Sequence, residues 1–230
     1  MPMEKHLKLA LSLNAEPFFR TMNPATVARI ANYVYHREYE PRQIIFFPDD
    51  LSDHVYWVRE GRVKITRASD EGRELAMQHL FPGDIFGEAC LVEKGKREAY
   101  AEAMTRAVLC LMRADDFRRV VAQEHEVTFM LAKILCRRVV EVEYVLEETV
   151  FKTVRSRVAS GLLRLYHRSP KNDRGAIRIT HQEIASLVGS TRETTTAVLH
   201  NLREQGILHM ANRRVIVLDA VALEHVARSS

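Results

Sequence analysis

The chain has 230 residues, 47% hydrophobic and 28% charged, enough for one large domain or two smaller ones with separate cores. No stretch reaches the roughly 20 uncharged apolar residues of a membrane span, and the opening Met1-Pro2-Met3-Glu4-Lys5-His6 lacks the apolar run of a secretory signal, so a soluble cytoplasmic protein without membrane partners is expected. The net charge of +4 is uneven: residues 1–150 carry 21 Lys and Arg against 24 Asp and Glu, and residues 151–230 carry 13 against 6, which directs the C-terminal part towards a polyanion.

Helical spacing opens the chain at Leu7, Ala10 and Leu11 and returns at Val27, Ile30, Ala31 and Val34, with Asn23-Pro24 as cap and first helical residue. From Tyr39 to Leu111 the pattern changes to short apolar runs: Ile44 to Phe47, Val55 to Val58, Val63 to Ile65, Leu75 to Met77 and Val108 to Leu111. Turn signals at Pro48-Asp49-Asp50, Glu60-Gly61, Asp70-Glu71-Gly72 and Pro82-Gly83-Asp84 separate them, as in an antiparallel sandwich or barrel. Cys90, Cys110 and Cys136 are odd in number and form no CxxC pair, so they read as small buried hydrophobes rather than zinc ligands or a disulfide framework.

After Ala114 the chain turns helical. Ala132, Leu135, Val139, Val142, Leu146 and Thr149 recur at alternating spacings of three and four, a heptad-like stripe with charge on the other faces. Such a stripe either lies on its own domain or pairs with its twin in a homodimer, and its length favours the twin. The expected organisation is a domain over residues 1–114, a long dimerisation helix over 115–150 with Leu135, Val139, Val142 and Leu146 at its seam, and a basic domain over 151–230. The last begins with a helix through Leu165, followed by a polar loop from Arg168 to Gly175 and further helices. Near its end a strand pair, Ile207 to Met210 and Val215 to Leu218, turns at Ala211-Asn212-Arg213-Arg214.

The most informative stretch runs from Thr180 to Gln205. Thr180 caps a helix and Glu183 completes a capping box; Ile184, Ala185 and Val188 give an apolar face. Gly189 stands where a tight turn between helices needs positive φ, and Thr191 caps the next helix, whose inner side is Val198, Leu199 and Leu202. Ser190, Arg192, Glu193, Thr196 and His200 then project outward, the arrangement a helix needs to read the major groove of double-stranded DNA. Arg192 suits the O6 and N7 acceptors of guanine and Glu193 the amino group of cytosine, while Arg213 and Arg214 are placed to touch phosphates as a wing would.

The run Gln182-Glu183-Ile184-Ala185-x-x-Val188-Gly189-Ser190-Thr191-Arg192-Glu193-Thr194 resembles the recognition signature of the cyclic-AMP receptor protein/FNR superfamily of bacterial transcription regulators. Gly61, Gly72 and Pro82-Gly83-Asp84-x-Phe86-Gly87-Glu88 resemble that family's β-roll turns. The resemblance implies an α+β chain: an N-terminal antiparallel, jelly-roll-like β-roll effector domain, a long dimerisation helix and a C-terminal winged helix-turn-helix. It further implies base-reading roles for Arg192 and Glu193, a phosphate contact at Thr180, and a homodimeric activator that meets RNA polymerase. A third reader, an Arg in many members, is replaced here by Ala197, so the operator is expected to differ from the commonest one.

In cyclic-nucleotide-binding relatives a Gly-Glu pair and an Arg followed by Ser or Thr hold the ribose and cyclic phosphate. This chain has Gly87-Glu88 and Arg97, but Glu98 follows, then Ala99. A carboxylate there would repel phosphate and compete for Arg97; two unit charges at about 4 Å interact by roughly 4 kcal/mol at an effective dielectric of about 20. Where relatives offer Thr-Ser to the adenine, this chain has Val142-Glu143. Cyclic AMP is therefore disfavoured. Arg97 pairing with Glu98 or Glu88 as an internal latch would leave the protein competent without ligand, and a different small molecule is the other reading. Haem is also disfavoured: the chain resembles the carbon-monoxide-sensing haem members around Cys90-Leu91-Val92 and at Pro2, but the Phe86-Gly87-Glu88 stretch offers no Cys and His for the iron, although His79 and Cys90 are present elsewhere. No nucleophile elbow, phosphate loop or metal-ligand pair marks an enzyme. A non-specific architectural DNA binder remains as the alternative class.

Overall fold

The computed structural model describes residues 13, 18–69, 71, 74–92, 95–168, 176–211 and 214–229. The expected first helix at Leu7 to Leu11, Gly72, the loop over 169–175 and the wing tip with Arg213 lie outside them. The chain divides into two compact units, the first made of residues 1–72 and 77–137 and the second of residues 138–230 with the short stretch 73–76.

The first unit begins with α1 (Pro24–Ala31), whose cap Asn23 accepts from the Ala25 amide at 2.9 Å and whose first position is proline. Val34 does not extend this helix. It opens β1 (Val34–Tyr39), which pairs with β8 (Ala107–Arg113) from Val34 opposite Met112 to Tyr39 opposite Ala107. A helical spacing of apolar residues was satisfied there by a turn and a strand start, because the ladder to β8 outweighs local periodicity. The remaining strands are β2 (Ile44–Phe46), β3 (His54–Glu60), β4 (Val63–Ala68), β5 (Glu74–Leu80), β6 (Ile85–Phe86) and β7 (Tyr100–Ala103). They form two four-stranded sheets, ordered β1-β8-β3-β6 and β2-β7-β4-β5, the expected β-roll. Its interior is filled by Tyr39, Phe46, Tyr56, Val58, Val63, Phe86, Leu109 and Leu111. On the other face of β3, Trp57 packs against Phe18, Phe19 and Phe117 with ring centroids 5.5–5.6 Å apart, within the cluster that also holds Val27 and Ile30 of α1.

The segment expected to be one long helix is two. α2 (Ala114–Gln123) buries Phe117 and Val120 in the core of the first unit, and Glu124, in extended conformation, breaks the axis before α3 (His125–Phe151). The break separates two tasks: α2 closes the roll's outer core, and α3 carries the stripe. Cys90 and Cys110 are buried as expected, whereas Cys136, beside the stripe on α3, is exposed.

The second unit continues from α3 into α4 (Val154–Arg168), α5 (His181–Val188), α6 (Arg192–Glu204) and α7 (Ala220–Arg228). A three-stranded sheet accompanies the helices: β10 (Leu208–Ala211) and β11 (Arg214–Val217) form the expected antiparallel pair, and β9 (Ala176–Arg178), which the sequence pattern did not reveal, flanks β11. No helix of the described residues is long and apolar enough to cross a membrane.

Candidate nucleic-acid interface and effector pocket

The turn between α5 and α6 is built by local chemistry. Thr180 accepts from the Glu183 amide at 3.2 Å while Glu183 Oε2 accepts from the Thr180 amide at 2.6 Å, so both halves of the capping box are made. Gly189 closes α5 at φ 61°, ψ 49°; a Cβ there would meet nothing within 4 Å, so glycine is present for its backbone conformation and not for space. The Ser190 amide then donates to Ala185 O at 3.0 Å, and Thr191 caps α6 by accepting from the Thr194 amide at 3.2 Å.

Arg192 and Glu193 are the first two residues of α6. Both are exposed, and neither side chain makes a hydrogen bond or ion pair with another described residue. The inner side of α6 is buried through Thr195, Leu199 and Leu202. Val198 is only half-buried. Ser190 is half-buried, Thr191 and His200 are exposed, and His200 lies 3.5 Å from Arg203. Thr196 departs from the expectation of an outward reader: it is half-buried and its hydroxyl meets His181 Nδ1 at 2.9 Å. His181, at the first position of α5, was missed in the sequence because the contact spans fifteen residues. Burial, with His200 and Arg192 nearby, holds its imidazole below the usual histidine range. Arg214 stands at the start of β11, half-buried, opposite Ala211 and Arg178.

In the first unit Gly87 adopts φ 81° at the head of a single 3₁₀ turn, Glu88–Leu91. A Cβ at Gly87 would come within 2.9 Å of His54 O and 3.0 Å of Arg97 Nη1, so the position is tight as well as left-handed. Glu88 opens the 3₁₀ turn and is half-buried, and Ala99 is half-buried. Arg97 is 7% exposed. Its Nη2 donates to His54 O at 2.5 Å and its Nη1 to Gly87 O at 3.2 Å. The guanidinium lies over the Phe46 ring at 4.5 Å and near Tyr56 at 5.7 Å, and its Nε is buried without a hydrogen-bond partner.

This corrects the expected competition. Glu98 does not face Arg97; it is exposed and pairs with Arg67 of β4. Nor is Arg97 latched to Glu98 or Glu88, since its bonds run to main-chain carbonyls. Adjacent in sequence, the two side chains have different partners, Arg97 the main-chain carbonyls of His54 and Gly87 and Glu98 the Arg67 side chain. Val142 and Glu143 are exposed on the part of α3 that belongs to the second unit.

Residues 36–124 match the cyclic nucleotide-binding domain family and residues 156–226 the Crp-like helix-turn-helix domain family. The chain is 32% identical over 216 residues to the cyclic AMP receptor protein of Thermus thermophilus, covering 94% of this chain and 98% of that protein. It is 29% identical over 214 residues to a CRP-like cAMP-activated global transcriptional regulator of Mycobacterium tuberculosis, covering 91% of this chain and 96% of that one. A solved CRP-family transcriptional regulator from Thermus thermophilus superposes with a TM-score of 0.73 at 31% identity, over 84% of this chain and 97% of that one. With roll, long helix and capped helix pair following in the same order along nearly its whole length, the chain belongs to the cyclic-AMP receptor protein/FNR superfamily of transcription regulators.

Proposed function

We propose that the chain is a sequence-specific transcription activator that binds a pseudo-palindromic operator as a homodimer. The observation that carries this reading is the pair Arg192 and Glu193, exposed and uncommitted on the first turn of α6, in the unit that holds the excess positive charge. Leu135, Val139, Val142 and Leu146 are 39%, 57%, 66% and 63% exposed along α3, an apolar face suited to a second copy. Two copies would set their recognition helices about 34 Å apart, one turn of the duplex. Contact with RNA polymerase follows from the activator role.

Enrichment of duplexes from a random pool tests the reading. A two-fold symmetric consensus is expected, and Arg192→Ala should relax it at one base pair per half-site. Enrichment of no sequence would leave a non-specific architectural binder.

The buried Arg97 favours a second element, gating by an anionic effector. A guanidinium with an unbonded Nε and no carboxylate is suited to receive a phosphate, and Glu98, turned towards Arg67, does not oppose one. The residues present thus fit the phosphate of a cyclic nucleotide, while the hydroxyl that relatives place after the arginine is lacking. The pocket so read is degenerate for cyclic AMP, and operator binding with and without cyclic AMP separates gating from ligand-independent activity.

A further inference from the structure

We infer that Arg157 is the positioning residue of the DNA reader, holding the end of α3 and the turn between α5 and α6 with a single guanidinium. The inference rests on the reading of α5 and α6 as the DNA-binding pair. Arg157 lies in the first turn of α4. Its Nε donates to Val188 O at 3.1 Å and its Nη2 to Gly189 O at 3.3 Å. From the same side chain, Nη1 donates to Thr149 O and Lys152 O, each at 3.4 Å.

These acceptors belong to two helix ends. The last four carbonyls of a helix have no partner within it and carry its negative dipole end. Val188 closes α5, and Thr149 lies in the last turn of α3. A planar cation with five donors in fixed directions can serve both at once; the single nitrogen of a lysine cannot. Two neighbouring features keep the ends in place. Gly161, one turn further along α4, lacks the Cβ that would come within 2.9 Å of Val188 Cγ1, so α5 approaches α4 closely where Arg157 holds it. Glu148, 3% exposed in the last turn of α3, accepts from Lys152 Nζ at 2.9 Å and from Arg164 Nη1 of α4 at 2.6 Å. Burial works to raise its carboxyl pKa, but hydrogen bonds from Ser160, Arg164 and Lys152 prevail and hold it below the usual range.

A displacement of the last turn of α3 therefore reaches Ser190 to Glu193 through hydrogen bonds rather than through a slack linker. The side chain itself donates inward to the protein, so its role in DNA binding is indirect.

The test uses the full chain and two variants, Arg157→Gln and Arg157→Lys, with a duplex enriched by selection and a scrambled one. Affinities are read by fluorescence anisotropy, and amide hydrogen exchange is followed at residues 190–194. Arg157→Lys should bind the selected duplex at least tenfold more weakly and the scrambled one within about twofold of the parent, with faster exchange at 190–194. Arg157→Gln should show the same selective loss, plus a small uniform loss from the missing charge. Parental affinity of Arg157→Lys on the selected duplex would overturn the inference, because charge alone would then suffice. Equal losses on both duplexes would also overturn it, by making Arg157 a phosphate contact. If Arg192→Ala, run alongside, bound the selected duplex like the parent, the DNA-reader reading would fail instead.

Discussion

A guanidinium taken out of water without a counter-charge is costly, and Arg97 meets that cost with two carbonyls and the faces of two aromatic rings. Such a group is retained for what it binds, so Arg97→Leu should leave thermal stability unchanged or raised while abolishing any response to an anionic effector. A fall in stability of more than about 2 kcal/mol on chemical denaturation would assign Arg97 a structural role instead. Histidine protonation gives a second expectation at this scale. Burial and Arg59 hold His36 below 6.5, and burial, His200 and Arg192 do the same for His181. The unfolded chain therefore takes up protons that the folded one refuses, and stability falls as pH drops through about 6.5. Thermal midpoints at pH 7.5 and 5.5 check this: the lower value belongs at 5.5, and His36→Gln should narrow the gap. Whether Glu98 opposes Arg97 was not legible in the sequence, because Glu98 is paired with Arg67 of β4, far from it along the chain.

At the scale of elements, the α5–turn–α6 unit was legible almost in full, since each part is a local device: Thr180 meets Glu183 and Thr191 meets Thr194 at i,i+3 spacing, and Gly189 acts through its own backbone. Gly189→Ala would place a Cβ in open space at φ 61°, so its cost is the left-handed conformation alone, about 1 kcal/mol. Gly189→Asn should cost less. Gly161→Ala differs in kind, because its Cβ would press on buried Val188; a loss of about 1–3 kcal/mol is expected. Urea titrations of the three variants test the order. What sequence reasoning missed is long-range: the break at Glu124, strand β9, and the ties of His181 to Thr196 and of Arg157 to Val188 and Gly189. Periodicity over 115–150 spoke for helix throughout, and it took the packing of Phe117 and Val120 into the cluster around Trp57, outside the roll, to divide it.

At the scale of the molecule, the stripe on α3 decides oligomeric state. Full burial of one such side chain contributes roughly 1.5–3 kcal/mol, and a two-fold axis doubles every loss. Leu146→Glu is expected to shift the chain to monomers in sedimentation and to abolish operator binding, since one half-site gives too little affinity alone. A dimer that persists in this variant would move the interface elsewhere.

On the proposed function, Arg192 reads a guanine in the major groove. Replacing the guanine of the selected operator by 7-deazaguanine removes the N7 acceptor and leaves base pairing intact, so a double-mutant cycle with Arg192→Ala isolates the contact. The base change should weaken the parent by roughly 1–3 kcal/mol and the Arg192→Ala variant not at all. Equal losses for both proteins would contradict it.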